Sequence, residues 1–146
     1  MESSTPTRVL IVANRTAATP TLFDRVRARA DEGPCEFTLL VPDLHRSADP
    51  DSREGGIILE LAVPLLEQAS GEHVDGIVGD ADPEAAVRAV LAEREIDEIL
   101  VSTLPPRVSR WLSGDLPGRL RELGKPVSVI TTPEAARPVA PAPPDA

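Results

Sequence analysis

Several residue types are nearly missing from this chain of 146 residues, and each shortage removes a class of function. Cys35 is the only cysteine, so the chain can form neither an internal disulfide nor a thiolate metal cluster. A reducing compartment, the cytoplasm, is the resulting expectation. There is no tyrosine, and the other aromatics are Phe23, Phe37 and Trp111. Base stacking needs aromatic platforms, so single-stranded nucleic acid is not expected as a partner. Lys125 is the only lysine, and the formal net charge is −9 with a pI near 4.7. Duplex nucleic acid and anionic membranes both call for a basic surface, and neither is expected as a partner. The longest apolar stretch, residues 57–66, contains Glu60 and Pro64 and is too short to span a bilayer. The first seven residues are polar, with no run of secretory-signal type.

What is present is an alternation of short apolar runs with helical patterns. Residues 9–13 (VLIVA) form a continuous apolar run, as in a strand buried on both faces. Leu22, Val26 and Ala30 share one face of a helix over 19–30, with Thr19 as N-cap and Pro20 at its first position. Further strands are predicted at 36–41, 74–78, 99–101 and 127–131. Helices are predicted at 56–69, where Pro64 should kink the chain, and at 83–94, capped by Asp82. A broken fourth helix is expected over 106–112 and 116–123, interrupted near Gly114. The order βαβαβαβαβ with right-handed crossovers gives a single-domain, doubly wound five-stranded parallel α/β sheet with helices on both faces. That domain spans 8–132. Residues 1–7 and the Pro/Ala-rich tail 133–146 are expected to be disordered. The charged loop 43–55 has only Leu44 and Ala48 to hold it apolarly and is expected to be mobile.

In such sheets ligands sit beyond the carboxyl ends of the strands. Several local phrases bear on that end. VANRT (12–16) follows the first strand, and VGDADPEAAVRAVL (78–91) opens the third helix. EIDEILVST (95–103) forms the fourth strand and GKPVSVI (124–130) the last. In this order the phrases resemble the universal stress protein family over about residues 8–132. The resemblance implies strand order 3-2-1-4-5 and pairing of two copies through the edge strand, at Val127, Val129 and Ile130. Together with a helix start expected near 106, it implies a ligand site drawn from Asn14, Arg15, Thr16, Val41, Gly79, Ser102, Thr103, Arg107, Ser109, Arg110 and Gly114.

Nucleotide-binding members of that family carry three spaced glycines and a hydroxyl residue after the fourth strand, so that backbone N–H groups can approach phosphates. Here the same spacing falls on Ser102, Pro105 and Asp115, with Leu116 at the hydroxyl. Slipping by one residue recovers Gly114 but puts Asp115 at the hydroxyl. Pro105 and Pro106 have no N–H to donate, and Asp115 would face phosphate with a carboxylate. Arg107, Ser109 and Arg110, on the first turns of the expected helix, and Arg15 from the neighbouring loop offer side-chain contacts to an anion. His45 and His73 fall at no metal-ligand spacing, and neither lies near the serines as a triad would require. The expectation is a cytoplasmic, stress-related or regulatory homodimer that acts by association, has no required cofactor or metal, and leaves room for an unidentified protein partner. The alternative is an ATP or AMP sensor with a degenerate loop at 102–116. A small-molecule enzyme at the same strand ends is the third reading, and no catalytic set supports it.

Overall fold

The apolar run after residue 8 becomes the central strand of a five-stranded sheet. The computed structural model describes residues 5–45, 48–105 and 107–133. β1 (Thr7–Val12) lies between β2 (Cys35–Pro42) and β4 (Glu98–Thr103), with β3 (Val74–Gly79) and β5 (Val127–Thr131) at the edges. All neighbours are parallel, in the order β3-β2-β1-β4-β5, as the resemblance implied. Ile11 pairs with Leu39 on one side and Leu100 on the other, so β1 is enclosed in the sheet as well as between its faces.

Side-chain alternation on β1 feeds two separate cores. Val9, Ile11 and Ala13 meet Leu22 and Val26 of α1 (Pro20–Glu32) and Ala62 and Leu66 of α2 (Glu54–Ser70). Leu10 and Val12 meet Ala86, Val87 and Val90 of α3 (Pro83–Glu93) and Leu116 and Leu120 of α5 (Leu116–Arg121). Trp111 packs against this second core from α4 (Arg110–Ser113), and Cys35 is buried in the first.

Several local expectations change in detail. Thr19 occupies the N-cap position, but its hydroxyl donates to the Thr16 carbonyl (2.7 Å) and does not cap α1. It closes the 3₁₀ turn Arg15–Ala18 instead. α2 begins at Glu54 and runs through Pro64 as one helix. Pro64 and Glu60, whose carbonyl loses its usual donor, are both exposed, so water can serve that carbonyl. Asp82 caps α3 by accepting from the Ala85 N–H, and Gly71 ends α2 in the left-handed region at φ 73°. Of the ends expected to be disordered, residues 1–4 and 134–146 lie outside the described residues.

Gly79 shows how closely α3 lies on the sheet. A Cβ there would stand 2.7 Å from Ala86 Cβ and 2.8 Å from Leu40 Cδ1. The glycine is required by packing between layers, which accounts for it without a ligand. Gly79→Ala is expected to lower stability by about 1–3 kcal/mol through overpacking. Urea unfolding checks this, and an unchanged midpoint would show that the layers can separate at no cost.

Candidate functional site

The polar side chains that follow the carboxyl ends of β1, β2 and β4 form a buried cluster. Chain reversal after β1 places Asn14 where its Nδ2 donates to the Pro42 carbonyl (2.7 Å), joining the ends of β1 and β2. Thr16 and Ser102 share a hydrogen bond between hydroxyls (2.7 Å), and Thr103 and Ser109 share another (2.6 Å). Ser102 is completely buried, and Thr16, Thr103 and Ser109 nearly so. The structure thus gathers Asn14, Thr16, Ser102, Thr103 and Ser109 of the predicted set. Val41 is also buried, but its side chain belongs to the first core. Two buried atoms here have no partner among the described residues: Asn14 Oδ1 and Thr132 Oγ1.

The segment after β4 departs from expectation. Ser109, not a residue near 106, is the helix N-cap, accepting from the Leu112 N–H (3.1 Å). The Pro105 carbonyl accepts from both Val108 and Ser109, which makes this stretch a turn. Arg107 therefore precedes the helix, and α4 has four residues, too few to build a useful dipole. Arg15, Arg107, Arg110 and Gly114 are exposed around the cluster. Neither Arg15 nor Arg110 forms an ion pair among the described residues. Asp115 accepts from the Gly118 N–H and caps α5 from a left-handed conformation (φ 56°).

Backbone donors along this loop are used internally. The N–H groups of Ser113, Gly114 and Asp115 go to the carbonyls of Ser109, Arg110 and Leu112, and that of Arg119 to Asp115. Val108, Ser109, Leu112 and Gly118 are also engaged, which reduces the backbone left to cradle a phosphate.

Asp43 is a site residue that the sequence reading missed. It directly follows β2 and is fully buried. Its Oδ1 accepts from the His45 N–H (3.1 Å) and the Ser52 hydroxyl (2.8 Å), and its Oδ2 from the Gly55 N–H (3.1 Å). Its own N–H donates to the Gly79 carbonyl (3.1 Å). The loop counted as lacking apolar anchors is thus drawn onto the domain by a carboxylate. The signal was available: an Asp beside Pro42 at the end of an apolar strand, with Ser and Gly following. Arg46 and Ser47 lie outside the described residues.

The histidines remain outside this chemistry. His45 faces Glu54 (3.2 Å), and His73 lies at the amino ends of the strands. No group of His, Cys, Asp and Glu suited to a metal occurs among the described residues. A cleft of about 550 Å³ opens at that amino end, between Arg8, Glu36, Phe37, His73, Asp75 and Arg94. Most of the charges on its walls are already paired with one another, so its size is no sign of a ligand site. No helix among the described residues is long and apolar enough to cross a membrane.

The strand order and the two helix layers match a solved universal stress protein from Archaeoglobus fulgidus. The TM-score is 0.61 at 15% identity, covering 86% of this chain and 93% of that one. The chain has the universal stress protein fold. A Mycobacterium tuberculosis protein superposes with a TM-score of 0.48 at 16% identity, over 89% of this chain and 98% of that one. The chain matches no protein-family model and no curated protein sequence. Within the universal stress protein fold, the buried hydroxyl cluster occupies the crevice at the carboxyl ends of β1 and β4.

Asp43→Ala removes the acceptor for three donors, and hydrogen bonds to a charged group contribute about 1.5–3 kcal/mol each. A loss of about 3 kcal/mol or more is expected in denaturant unfolding, with first proteolytic cuts moving into 43–55. A variant as stable and as protease-resistant as the parent would show that the loop is held some other way.

Proposed function

We propose that the chain is a universal stress protein that acts in the cytoplasm by association rather than catalysis and holds no nucleotide tightly. One observation carries this reading: the loop after β4 spends most of its N–H groups on its own carbonyls and caps, and Pro105 has none to offer. The same economy governs the side chains, since Thr16, Ser102, Thr103 and Ser109 pair among themselves. No described histidine contacts a hydroxyl, so a Ser-His pair of the triad kind finds no support here. Losing two or three backbone donors to a phosphate, at about 1.5–3 kcal/mol each, weakens affinity by roughly two to six decades. Calorimetric titration of nucleotide-stripped protein with ATP and AMP is expected to show binding no tighter than about 100 μM. Low-micromolar ATP affinity, or stoichiometric nucleotide in the purified protein, would overturn the reading. The second reading, an ATP or AMP sensor, has Asn14 Oδ1 in its favour, because a buried acceptor without a donor suits a ligand N–H or O–H.

The first partner proposed is a second copy. β5 is an edge strand with no charged residue in it, and Pro126 and Pro133 bracket it. Val127 and Val129 lean on the second core and Ile130 on the first, so the free edge offers mainly backbone to a partner. Two such edges pair antiparallel about a two-fold axis, which closes the assembly at two chains. Light scattering is expected to give twice the 15.5 kDa chain mass. A monomer at tens of micromolar concentration, about the working range for such pairing, would discard this interface.

A further inference from the structure

His73 lies between two carboxylates. Its Nε2 is 2.7 Å from Asp75 Oδ1, and its Nδ1 is 3.1 Å from Glu67 Oε2. An ionised carboxylate only accepts, so each contact asks its ring nitrogen for a proton. A neutral imidazole has one N–H and would set a lone pair against a lone pair at the other nitrogen. The two contacts are favourable together for the imidazolium. The chain of contacts continues on both sides. Glu67 Oε2 also accepts from the Val74 N–H (3.0 Å), and Asp75 Oδ2 accepts from Arg94 (3.0 Å), which reaches the Thr38 hydroxyl (3.4 Å). One protonated ring thereby joins the last turns of α2, the first residues of edge strand β3, the end of α3, and β2.

We propose that His73 is a protonation-dependent clasp that fastens the amino end of β3 and the turn before it to α2 and α3, forming one wall of the cleft there. The other charged groups around that cleft are Arg8, Glu36, Glu72 and Glu95. Arg8 is engaged by Glu36 and Glu95 on the far wall, and Glu72 adds a further acid near the ring. The surroundings therefore favour the charged ring. The hydrogen bond to Asp75 lifts His73 above its ordinary 6.5, with Glu67 adding to the effect. The same hydrogen bond, then Arg94, holds the Asp75 carboxyl below its usual range. A raised folded value means that the clasp stabilises fully below 6.5 and is lost as pH rises through the folded value. Asp75 keeps its contribution at and above its ordinary 3.8 and loses it only as pH falls through its depressed value. The clasp is therefore closed below 6.5 and opens as pH rises through the raised value of the folded protein.

The chain has two histidines, so proton NMR titration of the intact protein resolves them, with His73→Gln assigning the signal. His73 is expected to titrate above 6.5, with both ring nitrogens carrying protons at about pH 6. Asp75→Asn and Glu67→Gln should each move the titration down. Amide protection at Val74 should be higher at about pH 6 than at about pH 8 in the parent and insensitive to pH in His73→Gln. A titration at or below 6.5, or one unmoved by both carboxylate substitutions, would overturn the clasp. So would equal pH dependence of Val74 protection in parent and His73→Gln.

Discussion

β1 is buried on both faces and along both edges, and this constraint organises everything else. A strand so placed has no position for a polar side chain, and from Val9 to Ala13 it carries none. Its alternate side chains must satisfy two helix layers at once, which ties α1 and α2 on one face to α3 and α5 on the other. Polar chemistry is thereby displaced to the two ends of the sheet. Asn14 is the first polar residue the chain can place after β1, and it is used at once to join β1 to β2 through the Pro42 carbonyl.

The two ends handle polarity differently. At the carboxyl ends of β1 and β4 the central groups are hydroxyls, neutral and buried, and burial obliges them to find partners. Thr16 finds Ser102 and Thr103 finds Ser109, so the crevice closes on itself. At the amino end the groups are charged and exposed, and they pair across a cleft that stays open to solvent. Exposed pairs of this kind contribute little stability. The His73 and Asp75 pair adds a titratable ring, which a buried hydroxyl pair does not have.

The architecture was legible because apolar runs and helix caps report burial directly. The run 9–13, the Asp82 and Pro83 pair and Gly71 each fix an element through one local rule, and the structure keeps them. The site was less legible because its geometry depends on which group takes which donor. Ser109 reads equally well as a ligand contact and as an N-cap, and it is Pro105 accepting from Val108 and Ser109 that decides where α4 starts. Thr19 reads as a cap and serves a 3₁₀ turn instead. Loop 43–55 reads as unanchored by its apolar content, whereas its anchor is a carboxylate whose donors come from residues up to twelve positions later.

Asp43 also bears on what can enter the crevice. A carboxylate in the interior is costly unless its oxygens are satisfied, so the backbone at His45 and Gly55 and the Ser52 hydroxyl must come to it. Gly55 can approach because it has no Cβ: one there would lie 3.3 Å from Asp43 Cβ and 2.9 Å from Val78 Cγ1. The β2 side of the crevice is therefore closed by a saturated acid, and the β4 side by a proline turn that uses the Val108 and Ser109 N–H groups itself. A phosphate arriving there would find few free N–H groups, and cationic help only from exposed arginines that water screens. A neutral donor reaching Asn14 Oδ1 would encounter neither difficulty. These features of the crevice, a saturated acid on one side and a self-bonded turn on the other, are what the proposal of association rather than nucleotide chemistry rests on.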